Sequence, residues 1–198
     1  GVEGAFEFLR AREARVLEGW REVRERHGRI ADPGDGHHSL PQGVLFRGTR
    51  RWLKWTWGNS LTLKYDRYFR LQRADGDTDD AVRAAVIDYL QFRARLELGV
   101  LAEDHGARLG LTHGGVAIDD LGSRWGEIRK DGTLAFHWRL IHAPKASLEY
   151  AVLHLLGHRE HPFHCASFDR FIRRERAARR LDSRWLDGHA WILDPTDG

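Results

Sequence analysis

The sequence contains no methionine and a single cysteine, Cys165. One thiol cannot form an intramolecular disulfide, so the fold must rest on packing, as expected in a reducing compartment such as the cytoplasm. Because no methionine stands even at position 1, the chain is expected to begin downstream of an initiator, its N-terminus trimmed, processed or engineered. No run approaches the roughly 18 uninterrupted apolar residues of a membrane span, and no basic-then-apolar secretory leader opens the sequence. A soluble protein without a membrane partner is the expectation. The 198 residues suit one compact domain, and 32 Lys+Arg against 29 Asp+Glu leave a net charge of only +3. That excess is too small to attract a polyanion over long range.

What is abundant is histidine and tryptophan, 12 and 8 residues respectively. Apolar residues Phe6, Leu9, Val16, Leu17, Trp20 and Val23 recur near a 3.6 period and predict an amphipathic helix over residues 4–27, with a loop to about Gln42. From Val44 to Gln72 short β-rich runs follow. Trp55 and Trp57 alternate before Gly58-Asn59-Ser60, and Leu61, Leu63 and Tyr65 alternate after it, which predicts a hairpin. The polar stretch Asp75–Asp80 supplies N-caps for a long helix from Val82 to Leu109, with a break expected near Gly99. Val116–Asp119 and Thr133–Ile141 read as strands. Pro144 is suited to a helix's first turn, and the apolar run from Leu148 to Leu156 predicts a buried helix to about Arg159. Two further helices are expected over residues 165–174 and 175–187.

The buried helix carries the most informative residues. His154 and His158 are four apart, so their rings leave the same face about one turn apart, the spacing that a tetrahedral zinc ion accepts from one helix. Pro162 opposes continuation of the helix and lets the chain turn to present His164. The pair alone, a spacing that arises by chance, reads first as two hydrogen-bonded core histidines. A third imidazole after a helix break, on an otherwise apolar helix, favours metal binding, and zinc is the expected cofactor.

Ser123-Arg124-Trp125-Gly126, Gly132-Thr133-Leu134, Trp138-Arg139-Leu140-Ile141, Ala143-Pro144, Tyr150, the histidine array and Arg184-Trp185-Leu186 together resemble the YgjP-like metallopeptidase-domain family. SprT-like and WLM proteases are more distantly similar. The resemblance is strong over residues 78–193 and extends over 4–72. It implies an α+β, zincin-like fold, in which a small mixed or antiparallel sheet packs with helices and the metal-binding helix runs beneath an edge strand. It divides the chain into an N-terminal helix and β-hairpin region, residues 1–77, expected to lack the family's first β-structure, and a metallopeptidase-like core, residues 78–198. It also implies zinc held by His154, His158 and His164, and a peptide or protein as substrate or ligand.

The family motif is H-E-x-x-H, whose Glu serves as general base and then as acid. Leu155 occupies that position here and can do neither, so a catalytically impaired member is expected. The alternative is an active hydrolase with a substitute carboxylate. Glu127 is the first candidate, because by resemblance its loop lies near the site, whereas Glu149 and Glu160 should point off the ligand face. Arg124 or His137 would then polarise the substrate. His137 alternates with Leu134, Phe136 and Trp138 and is expected on a polar strand face, as a fourth ligand, a transition-state donor or a surface residue. His142 and His161 share that ambiguity, and Cys165 is not expected to ligate.

Arg50-Arg51-Trp52-Leu53-Lys54-Trp55-Thr56-Trp57 interleaves cations with indoles, and Arg173, Arg174, Arg176, Arg179, Arg180 and Arg184 form a second basic cluster. Both compositions suit nucleic acid, which stands as a second alternative function. The plainer reading is a hairpin packed by tryptophan and a helix whose arginines are solvated or paired with Glu175, Asp182 and Asp187.

Overall fold

A computed structural model describes residues 43–189, so the predicted helix over residues 4–27 and the loop after it lie outside the described residues. Four strands open the described chain: β1 (Gly43–Phe46), β2 (Thr49–Trp57), β3 (Thr62–Tyr65) and β4 (Phe69–Arg73), in the sheet order β1-β2-β4-β3. The expected hairpin between β2 and β3 does not form. β4 lies between them, parallel to β2 and antiparallel to β3, with Leu53 opposite Phe69 and Leu63 opposite Leu71. Alternation specifies which side chains face the core. It is blind to which strand lies alongside.

The β1–β2 connection, Arg47-Gly48, has φ of 51° and 72°, the left-handed pair that a two-residue hairpin turn needs. Gly48 is required twice over, because a Cβ there would also stand 2.6 Å from Pro144 Cγ. The Arg47 and Gly48 amides donate to the carbonyls of Ile141 and His142, at 3.0 and 2.7 Å. The turn is therefore docked on the segment that leads into the histidine helix.

Helix α1 (Asp79–Leu109) begins at Thr78, whose hydroxyl accepts from the Ala81 amide at 3.1 Å, and ends at Gly110 with φ of 69°. It is unbroken at Gly99, which is buried one position after Leu98. A stripe of Val82, Val86, Tyr89, Leu90, Ala94, Leu98 and Ala102 packs against the rest of the core. The second sheet comprises β5 (Val116–Asp119), β6 (Gly126–Ile128) and β7 (Leu134–His137), ordered β5-β7-β6, with β5 parallel and β6 antiparallel to β7. The predicted strand over Thr133–Ile141 stops at His137 and continues as a 3-10 turn, Trp138–His142. All four residues of β7 are buried, so both of its faces are covered.

Helix α2 (Lys145–Gly157) follows, then α3 (Ala166–Arg179) and a short α4 (Arg184–Gly188). The two helices expected over residues 165–187 divide later than predicted, at Arg180, which is left-handed with φ of 56°. One hydrophobic cluster joins Phe46, Phe69 and Leu71 of the first sheet to Leu98, Phe136, Ile141 and Leu156, so packing crosses position 77/78 without a break. The described chain is thus α+β, with small mixed sheets and packed helices. No described helix is long and apolar enough to cross a membrane.

His142 is half-buried beside this packing, its Nδ1–H donating to the Leu45 carbonyl at 2.5 Å. Burial first, then Arg139, holds its pKa below the ordinary imidazole value; burial also depresses His105 and His137. In the unfolded chain these rings titrate near about 6.5. Below that pH the unfolded state binds more protons, so stability falls as pH drops through this window. In chelator, the urea midpoint is expected to be lower at pH 5 than at pH 7.5, and His142→Gln should shrink the difference. An equal midpoint at both values would contradict the assignment.

Candidate metal centre

Helix α2 is apolar on nearly every side, burying Leu148, Ala151, Val152, Leu153, Leu155 and Leu156. His154 and His158 emerge from it one turn apart, the second at the C-cap, and the chain then turns through Pro162 and brings back His164. The three Nε2 atoms form a near-equilateral triangle, with sides of 3.2, 3.0 and 3.2 Å. His158 Nδ1 lies 2.8 Å from the His161 carbonyl, which can only accept, so the proton of neutral His158 is on Nδ1 and its Nε2 presents a bare lone pair. Tyr150 Oη is 3.4 Å from His154 Nδ1, one turn earlier on the helix. Burial first, then His158 and His164, pushes the His154 pKa down to about 4, which keeps that ring neutral near pH 7.

Bare nitrogens so close repel one another unless a shared proton or cation lies among them. Imidazole nitrogens about 2.0–2.1 Å from a tetrahedral zinc ion would be separated by about 3.3 Å, near the observed sides. The donor set therefore fits a zinc ion with one open position. Among the described residues these three histidines make up the one group that could hold a metal ion.

Phe168 of α3 supports the triangle from below. Its ring stacks on His158 at 4.4 Å and 13°, and meets His154 edge-on at 5.0 Å. Gly157 permits this approach, since a Cβ there would lie 2.6 Å from Phe171 and 3.1 Å from Phe168.

The histidines open into a cleft of about 740 Å³, bordered by Arg124, Glu127, Tyr150, Leu155, Leu186 and Asp187 among others. Leu155 is 8 % exposed and packs on edge strand β6, where a Cβ on Gly126 would stand 2.8 Å from its Cδ1. Glu127 lies in the cleft wall, its carboxylate engaged by the Arg124 guanidinium. Glu149 instead meets His105 at 3.1 Å and Arg179 at 2.8 Å, and it does not border the cleft.

His137 is not on a polar strand face. It is fully buried and absent from the cleft wall, because β7 is the central strand. Its Nδ1 accepts from the Arg139 amide at 3.1 Å, which leaves Nε2–H to donate to Asp120 Oδ1 at 3.2 Å. His142 is half-buried and held on the Leu45 carbonyl, and His161 lies 3.2 Å from the Ser167 hydroxyl, so neither joins the triangle. Cys165 is exposed, with its sulfur 3.0 Å from Ser167 Oγ.

Three contributors escaped the sequence reading in their site roles. Tyr150 was detectable, being four residues before His154 on one helix face. Phe168 and Asp187 left no such signal, because α3 and α4 reach the site only by folding back on α2. A family model described as YgjP-like, metallopeptidase domain, matches residues 3–189. No curated protein and no solved structure matches the chain.

Proposed function

The chain belongs to the YgjP-like metallopeptidase-domain family, and on that premise we propose that it binds zinc through His154, His158 and His164 but hydrolyses peptides feebly, because Leu155 replaces the motif Glu. The observation that carries the reading is the convergence of three Nε2 atoms within 3.2 Å at the cleft. When bound, zinc would supply Lewis-acid polarisation of a carbonyl. The chain's own residues do the rest. The His161 carbonyl fixes the His158 tautomer, Phe168 holds the ring orientation, and burial keeps His154 available as a neutral donor. Leu155 excludes water from its side of the cleft and moves no proton. A peptide laid along edge strand β6 would find backbone partners there, with Arg124 available to a carbonyl or carboxylate.

A second reading, an active hydrolase with Glu127 as the base, is favoured by the position of that carboxylate in the cleft wall. Asp187 is the other acid bordering the cleft among the described residues.

Metal analysis combined with a peptide-hydrolysis assay tests both. Zinc near one equivalent per chain is expected, lost in His154→Ala, with turnover close to background. Robust hydrolysis that Glu127→Gln lowers by about 10²–10⁴-fold would replace the first reading with the second. Hydrolysis that persists after metal removal would overturn both.

A further inference from the structure

Charge is unevenly distributed along this chain. Residues 43–73 contain eight Lys/Arg and one acid, Asp66, whereas the remaining residues carry 24 Lys/Arg and 28 Asp/Glu. The small net charge of the whole conceals a strongly cationic four-stranded sheet.

The register puts much of this charge on one face. Leu53, Leu63, Phe69 and Leu71 are buried and turn inward, so their neighbours Lys54, Lys64 and Arg70 turn outward. Lys54 pairs across with Arg70, and Arg70 with Lys64, which aligns three cations in a transverse row on β2, β4 and β3. At strand spacings of about 4.8 Å the row spans roughly 10 Å. Arg70 is matched by Asp66 at 2.7 Å, and Lys54 Nζ lies 4.0 Å from the Tyr68 ring centroid. Lys54, Lys64 and Arg50 form no ion pair among the described residues. Trp52, two residues before Lys54 on the same face, is 58 % exposed. No residue of this sheet borders the histidine cleft.

A sheet face that places an exposed indole beside a row of cations matches a chain with both negative charges and free π-faces. We infer that the outer face of the β1–β4 sheet binds single-stranded nucleic acid, with phosphates on Lys54, Arg70 and Lys64 and a base stacked on Trp52. A duplex keeps its bases stacked on one another and offers the indole none. An acidic polypeptide would satisfy the cations but leave Trp52 without a stacking partner.

The test is fluorescence anisotropy of the full chain with a labelled oligothymidylate of about 20 nucleotides. Binding is expected to weaken about 10- to 20-fold between 50 and 200 mM salt, as neutralisation of about three phosphates dictates. The pair Lys54→Gln and Lys64→Gln, and separately Trp52→Ala, should each weaken binding about tenfold while zinc content is unchanged. A duplex of equal length should bind more weakly. No binding by the full chain would overturn the inference and assign the face to another occupant. Binding indifferent to these substitutions, or equal competition by polyglutamate, would overturn it as well.

Discussion

Leu155→Glu is expected to raise metal-dependent peptide hydrolysis by about 10²–10⁴-fold, the usual contribution of a positioned general base. The position follows His154 directly on α2, and its side chain already borders the cleft. Glutamate approaches leucine in size, so the backbone need not move. The carboxylate must, however, turn away from the contact that Leu155 makes with β6 at Gly126. Giving up a side chain that is only 8 % exposed should cost about 1.5–3 kcal/mol of stability. Leu155→Gln provides the control, since it loses the same packing without gaining a base. Both variants should retain zinc, and only the glutamate should gain turnover. If the zinc-loaded glutamate variant is as inactive as its parent, the deficit lies elsewhere in the cleft, with the Arg124–Glu127 pair the first place to look.

Removing zinc is expected to lower the melting temperature by about 8–16 °C. A ligand at 1,000 times its Kd stabilises the state that binds it by about 4 kcal/mol, and in a chain of this length each kcal/mol moves Tm by about 2–4 °C. The structure gives the loss a physical source: three imidazole nitrogens held within 3.2 Å of one another are stabilised by a cation between them. His158→Ala should abolish the metal-dependent part of the shift. It also removes the ring that stacks on Phe168, so the variant should melt lower than the parent even in chelator. Calorimetry with zinc and with chelator, on both proteins, separates the two effects. Identical melting of the parent under both conditions would argue against a metal at this site.

The local features were legible because their causes are local. Spacing of four puts His154 and His158 on one helix face whatever surrounds them. Apolar periodicity marked the long helix, and Thr78 lay among the capping residues expected before it. The break expected at Gly99 failed because glycine's intrinsic cost, about 1 kcal/mol, is small against burial of the neighbouring Leu98 and Ala102. His137 was misplaced for a related reason: alternation assumes one wet face, and a central strand has none.

From the residues alone came the kinship, the helix that carries two imidazoles, and the leucine that follows the first of them, since each depends on identities and short spacings along the chain. Only the folded molecule decided that β4 enters between β2 and β3, that Phe168 lies beneath the histidines, that Asp187 reaches the cleft, and that the cations of the first sheet share one row. Those outcomes depend on which distant segments pack together, and that is settled by the free energy of the whole core, which no local pattern records.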